Sequence, residues 1–277
     1  MLAELRDAPP TLTYPPHPDA VPPGIVEQGR YRARFARTAA ELDSILRLRF
    51  EIFNVELGEG LEASYATGKD EDPFDRTCHH LLVEDMKQGG AVVGTYRIQT
   101  FAMGAERGFY SAGEFDLSAL PPEILGHSVE VGRACIAKEH RNRQTLFLLW
   151  KGLALYMRHN AKRFLFGCCS LTSQDGCEGF KAQHFLAAGG HLHGAIAVAP
   201  RPGFECTCGS PLPETDEPYD LPVLFRTYLR YGAKVCSAPA IDREFKTIDF
   251  LVLFDVDAMD PESYNLFFET RSRRENR

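Results

Sequence analysis

SVEVGRACIAKEHRNRQTLFLLWKGLALYMRHNAKRFLFGCC, residues 128 to 169, carries two strand patterns with a helical pattern between them. Val129 to Ile136 reads as a strand, Lys138 to Arg143 as a basic turn, the residues after it as an amphipathic helix, and Arg163 to Cys169 as a second strand. Leu146, Leu149, Trp150, Leu153 and Tyr156/Met157 recur at helical spacing, so the middle segment has one apolar stripe to bury. In a regular strand Glu130 and Arg133 point to opposite faces, because side chains alternate with period two. A β-bulge at Gly132 adds one unpaired residue and brings both onto one face; a surface ion pair on an edge strand is the plainer reading. Arg141 and Arg143 stand just before a helix N-terminus, where free N–H groups favour a phosphate. A solvated basic loop accounts for them equally well.

The chain has 277 residues, 44% hydrophobic and 25% charged, which suits one large soluble domain. Its formal net charge of −7 gives no support to a nucleic-acid binder. No apolar run approaches the roughly 18 residues that would read as a membrane span. The first residues carry Glu4, Arg6 and Asp7 without an apolar core, so they do not read as a secretory signal and a cytoplasmic location is expected. Most of the eight cysteines, among them Cys78, Cys135, Cys168, Cys169, Cys177 and Cys236, lie in or beside apolar stretches and are expected to be reduced. Cys206, Cys208 and the histidines lack zinc spacing, and no metal is expected.

Residues 1–30 are proline-rich and read as an arm, 31–257 as the single folded domain, and 258–277 as a charged tail. Tyr31 to Ala36 is a first strand, and Thr38 with Glu41 forms a capping box for a helix whose inward stripe is Leu42, Ile45/Leu46, Arg49 and Phe53. A buried Arg49 needs a carboxylate or a bound anion. Leu61 to Phe74 reads as a long loop, and its Asp72-Pro73-Phe74-Asp75 offers two carboxylates either to a substrate ammonium or simply to a turn. Strands follow at His79 to Glu84 and Val92 to Gln99, joined at Gln88-Gly89-Gly90, with Val93, Thr95, Arg97 and Gln99 on one face. Phe101 to Pro122 is an irregular excursion. Helices at Cys177 to Ala188 and Val223 to Tyr231 and strands at Val235 to Ile241 and Ile248 to Val256 complete the chain.

Leu48-Arg49-Phe50-Glu51-Ile52-Phe53, Asp72-Pro73-Phe74-Asp75, Gly94-Thr95-Tyr96-Arg97 and Glu130-Val131-Gly132-Arg133, in this order and spacing, resemble the GNAT-related N-acyltransferases. That family includes the ornithine-lipid synthases and the acyl-homoserine-lactone synthases. Gly108-Phe109-Tyr110-Ser111, Arg141-Asn142-Arg143 and Phe166-Gly167-Cys168 extend the resemblance across Tyr31 to Val256, closer to the ornithine-lipid branch.

The resemblance implies an α/β fold of GNAT type, a mixed twisted sheet with helices on both faces. It places the acyl donor where the strands at 129–136 and 163–169 splay apart. It also implies transfer of a 3-hydroxyacyl group from acyl carrier protein, with acyl-CoA as the other thioester, to the α-amine of ornithine. Glu130 is then the general base, with Arg133 and Arg49 fixing the carboxylates. Asp72 and Asp75 receive ammonium groups, and Arg97 meets the acceptor carboxylate. Arg141 and Arg143 hold the pantetheine phosphate, while Phe53, Phe164 and Phe166 wall the acyl tunnel. Lys151, Arg158, Lys162 and Arg163 form a docking patch for the carrier protein or a charged outer helix face. No separate cofactor is needed, and peripheral contact with the inner membrane is compatible with such a product.

Overall fold

A computed structural model describes residues 14–209 and 219–269. Pro9, Pro10, residues 210–218 and the charged run Arg271 to Arg277 lie outside the described residues.

The elements in order are β1 (Val26–Gln28), β2 (Tyr31–Phe35), α1 (Ala39–Phe50), α2 (Ser64–Thr67), β3 (His79–Asp85), β4 (Ala91–Thr100), α3 (Phe101–Arg107), α4 (Pro122–Gly126), β5 (Ser128–Ile136), α5 (Arg143–His159), β6 (Phe164–Leu171), α6 (Gly176–Ala188), α7 (Val223–Arg230), β7 (Lys234–Val235), β8 (Ala240–Asp242), β9 (Thr247–Asp255) and α8 (Pro261–Phe268). The strands form one sheet in the order β1-β2-β3-β4-β5-β6-β9-β7, with β8 on the far part of β9. Among the described strands only β5 and β6 run parallel, as the α5 crossover between them requires; the other strand pairs are antiparallel.

Local chemistry accounts for the helices that flank the site. Thr38 and Glu41 close the capping box of α1, and the chain widens into a π-helical turn over Glu51–Glu56. Asn142 caps α5 by accepting from the N–H groups of Gln144 and Thr145. The apolar stripe of α5 buries Leu149, Trp150, Leu153, Tyr156 and Met157 on the sheet. Gly152 lets helix and sheet close together, since a Cβ there would lie 2.5 Å from the Leu81 methyls.

Side chains alternate across the sheet, and its two faces differ. Val129, Val131, Leu165, Cys169, Val252 and Phe254 pack with α5, α6, α7 and α8 in one large core. Phe166, Leu251 and Leu253 face Phe115, Leu117 and Leu120 on the other side, where Ile45 of α1 also packs on Leu82.

Several expectations change. The proline-rich arm ends in β1, paired with β2. Phe101 to Pro122 holds α3 and two short 3-10 turns instead of being irregular throughout. The strand expected at Val235 to Ile241 is two short strands, both on β9. The expected tail begins with α8, whose Phe267 and Phe268 are buried against the core because Pro261 and Asp260 start a helix with an apolar end. Cys177, expected to be reduced, forms a disulfide with Cys208, which ties the start of α6 to the loop after Val198. No helix among the described residues is long and apolar enough to cross a membrane.

Candidate active site

The pairing of β4 with β5 slips by one residue. Thr95 lies opposite Cys135 while Arg97 lies opposite Gly132, so three steps along β5 match two along β4. That is a bulge, and Arg133 within it has a backbone φ of 50°. A left-handed conformation costs a residue with a Cβ roughly 1–2 kcal/mol, so the surroundings must hold it. They do: the Arg133 guanidinium lies 4.6 Å from the Tyr110 ring and 4.3 Å from the Phe245 ring, and it donates to Asp72 at 3.0 Å.

Arg133 belongs to a buried cluster of three guanidiniums and three carboxylates. Arg49, wholly buried, pairs with Asp70 at 2.7 Å and Asp75 at 2.5 Å. Arg97 donates through Nη1 to both oxygens of Asp72 at 2.6 Å and to Asp75 at 3.1 Å. The backbone N–H of Asp72 donates to Asp75, and His80 reaches the same carboxylate at 3.3 Å. Burial alone would raise the Asp75 carboxyl, yet Arg49 and Arg97 hold it well below the usual range. Burial pushes His80 down, which favours the neutral ring. The charges therefore balance inside the cluster. Asp72 and Asp75, expected to receive a substrate ammonium, spend their oxygens on arginines and stand outside the cavity lining. Their effect is to hold Arg97 and Arg133 rigidly against the cavity wall.

Glu130 is buried and accepts from Gln99 Nε2 at 2.5 Å, from the backbone N–H groups of Tyr110 (2.9 Å) and Ser111 (2.8 Å), and from the Ser111 hydroxyl. A carboxylate offers about four acceptor positions, so these donors fill it. Three of them come from Gly108-Phe109-Tyr110-Ser111 or its neighbourhood, and this orders the segment over the site.

A cavity of about 270 Å³ opens where β5 and β6 part. They pair only from Ser128/Phe164 to Glu130/Phe166, after which β5 follows β4 and β6 follows β9. Gly167 permits this junction, since a Cβ there would lie 2.1 Å from the Val131 carbonyl oxygen. The cavity passes between the strands and so meets both faces of the sheet. Tyr96, Leu165, Phe225, Tyr228 and Phe254 line the apolar face; Arg97, Gln99, Glu130, Arg133 and Cys168 line the polar one.

The structure thus gathers Glu130, Arg133, Arg97, Phe53 and Phe166 on one cavity, with Arg49, Asp72 and Asp75 directly behind. Others fall elsewhere. Phe164 packs under Arg163 in the smaller core and does not line the cavity. Arg141 is engaged by Glu56 through two bonds of 2.6 and 2.7 Å, and Arg143 lines a separate groove beside α8. Asn142 also takes up two N–H groups of α5, which removes the expected phosphate cradle. In the expected docking patch, Lys151 and Arg158 donate to the carbonyls of Glu269 and Phe268, Lys162 to that of Gly126, and Arg163 pairs with Asp255. Sequence reasoning missed Tyr110, Ser111, Glu59, Glu114 and Asp249 as site residues. Tyr110 and Ser111 lie in the quoted motif Gly108-Phe109-Tyr110-Ser111, to which no role was given, and Asp249 is a lone acid in the apolar run Ile248 to Phe254.

The acetyltransferase (GNAT) domain family matches residues 48–151, which hold Arg49, the charged cluster, Glu130 and the start of α5. The L-ornithine N(alpha)-acyltransferase of Rhizobium meliloti (strain 1021) is 33% identical over 246 residues, covering 84% of this chain and 83% of its own length. The protein of the same name from Agrobacterium fabrum (strain C58) is 32% identical over 254 residues, covering 83% of each. Among solved structures, the AHL synthase LasI overlays with a TM-score of 0.49 at 13% identity, covering 89% of this chain and 100% of that one. Identity at this level across more than four-fifths of both sequences makes this chain an acyltransferase that belongs to the L-ornithine N(alpha)-acyltransferase family.

Proposed function

We propose that the protein transfers a fatty acyl group, 3-hydroxylated in its natural form, from the thioester of acyl carrier protein to the α-amine of ornithine, the first step of ornithine-lipid synthesis. The observation that carries this reading is the cavity at the β5–β6 splay, apolar on one face of the sheet and polar on the other. An acyl chain lies on the apolar side against Leu165, Phe225 and Phe254, and the amino acid on the polar side. The thioester carbonyl sits between them, beside the bulge.

The acceptor nitrogen attacks that carbonyl; the N–C bond forms, the C–S bond breaks, and the pantetheine sulfur leaves as a thiol by taking up the proton that Glu130 has removed from the amine. Glu130 takes the proton from the amine, directly or through one water. The Ser111 hydroxyl turns about a single bond and gives way, while the backbone N–H groups of Tyr110 and Ser111 keep the carboxylate aimed. The register leaves Arg133 and Ala134 together opposite Tyr96, and an N–H group released there faces the developing oxyanion. Arg97 and Arg133 meet the acceptor carboxylate from their rigid mounts. The product carries a fatty tail, so it leaves toward a lipid surface, with the enzyme cytoplasmic and in peripheral contact.

Expression in a host that lacks aminolipids, followed by mass spectrometry, tests the reading: lyso-ornithine lipid supports it. An S-adenosylmethionine-dependent lactone, or no new lipid, overturns it. Purified enzyme given the same acyl chain on carrier protein or on CoA tests the donor, and a higher kcat/KM with carrier protein is expected.

A further inference from the structure

Three more acids border the polar side of the cavity, and they differ from the cluster around Arg49. Glu59 and Asp249 line it, and Glu114 stands against Asp249 and Cys168. One oxygen from each of Glu114 and Asp249 and the Cys168 sulfur all lie within 4.8 Å of one another. Glu114 is 4% exposed and Asp249 3% exposed. Glu114 Oε2 and Asp249 Oδ1 are buried without a hydrogen-bond partner. No lysine or arginine among the described residues forms an ion pair with Glu59, Glu114 or Asp249. The chain matches each buried aspartate of the Arg49 cluster with a guanidinium, yet it leaves this pair without a cation. Unpaired buried carboxylates are costly, and the cost persists where a ligand relieves it.

The position fits one ligand group. Glu130 is level with Phe166 on β6, and Asp249 is level with Ser170. Four residues separate these levels, roughly 13 Å at about 3.3 Å per residue, and two side chains with a short diamine spacer bridge that gap. Cys168 stands midway on the same strand face, where the fields of Glu114, Asp249 and Glu130 all reach it.

We infer that Glu114 and Asp249, with Glu59 beside them, form the subsite that binds the distal ammonium of the acceptor and so selects a diamino acid over a neutral one. The inference rests on the acyltransferase reading and deepens it. Without an acceptor the pair holds a proton on Glu114: burial, then Asp249, pushes the Glu114 carboxyl up to about 11, and burial raises Asp249 as well. Asp242 adds to both shifts, and Arg133 opposes the one on Glu114. The ammonium replaces a proton, so acceptor binding releases one.

The test compares ornithine with norvaline, which has the same carbon chain and no distal amine, on the full-length enzyme with a fixed acyl donor. Wild type is expected to favour ornithine in kcat/KM by about a hundredfold or more, as a site built around a buried polar contact does. Asp249→Asn and Glu114→Gln are each expected to lower that ratio by at least about tenfold. Calorimetry of wild type in buffers of different ionisation enthalpy is the second readout, with proton release on ornithine binding and none on norvaline. Unchanged ratios in both variants, or no proton release, overturn the inference. So does a stoichiometric divalent metal in the purified wild type that is lost in Asp249→Asn. Equal acylation of both amino acids by wild type overturns this inference alone, whereas acylation of neither overturns the acyltransferase reading itself.

Discussion

Glu130 and Arg133 lie on the same face of β5 although they are three positions apart, because the bulge places Arg133 at a φ of 50° and shifts the register against β4 by one. The carboxylate and the guanidinium consequently border one cavity. An unbroken strand would have sent Arg133 into the apolar core under α5, where no aspartate could reach it. The site is therefore a property of a register shift.

Glu130→Gln keeps the size of the side chain and removes the carboxylate proposed to take the proton. Turnover with acyl carrier protein and ornithine is expected to fall by about two orders of magnitude or more, with little change in the KM for ornithine. The thermal midpoint should stay within a few degrees of wild type, because the amide oxygen still accepts from Tyr110 and Ser111. Wild-type turnover would remove Glu130 from the mechanism.

Arg49→Met strips the central cation from Asp70 and Asp75, both fully buried. Breaking a buried pair by removing one partner typically costs about 3–5 kcal/mol. Urea denaturation should show a loss of that size, and adding Asp75→Asn and Asp70→Asn should recover part of it. A loss under about 1 kcal/mol would mean that the cluster does not hold the fold.

His79 is buried with its Nε2 donating to the Pro16 carbonyl and its Nδ1 against the Tyr156 hydroxyl at 2.7 Å. Burial lowers its pKa to about 4. Between the unfolded value near 6.5 and about 4 the unfolded chain binds a proton that the folded one refuses, so stability falls as pH drops through that window. The contribution is on the order of 3 kcal/mol across the window. Denaturation midpoints at pH 7, 6, 5 and 4 measure it, and His79→Gln should flatten the slope.

Gly167→Ala places a methyl group where the Val131 carbonyl oxygen now sits, at 2.1 Å from the new Cβ. The contact is to backbone, which cannot rotate away, so the β5–β6 junction must move. A destabilisation of about 1–3 kcal/mol is expected, with a larger loss of kcat than of ornithine affinity because the donor side of the cavity is displaced. An unaffected thermal midpoint and unaffected kcat would show that the strands do not meet so closely there.

Much of the architecture was legible along the chain. Thr38 and Glu41 marked the start of α1, and the stripe from Leu146 to Met157 marked α5. Gly132 between two charged residues at an odd spacing marked the bulge, and Arg49 on an inward stripe announced a buried cation. Each of these depends on neighbours within a few residues, where backbone geometry is nearly fixed by residue type. Alternation also separated Tyr96 from Arg97, and with them the apolar and polar faces of the sheet.

Partnership was decided only by the tertiary structure. Nothing local distinguishes Asp72 and Asp75, which are consumed by arginines, from Glu114, which is left without a cation. Nor does local pattern show that Arg141 turns to Glu56 or that Phe164 leaves the cavity wall. Coulomb energy and hydrogen bonding act over a few ångströms, and those distances are set when strands and loops from remote parts of the chain are packed together. Residue types and their periodicity determined which groups had to be buried; the packing of β4, β5, β6 and β9 determined which of them found a partner and which were left facing the cavity.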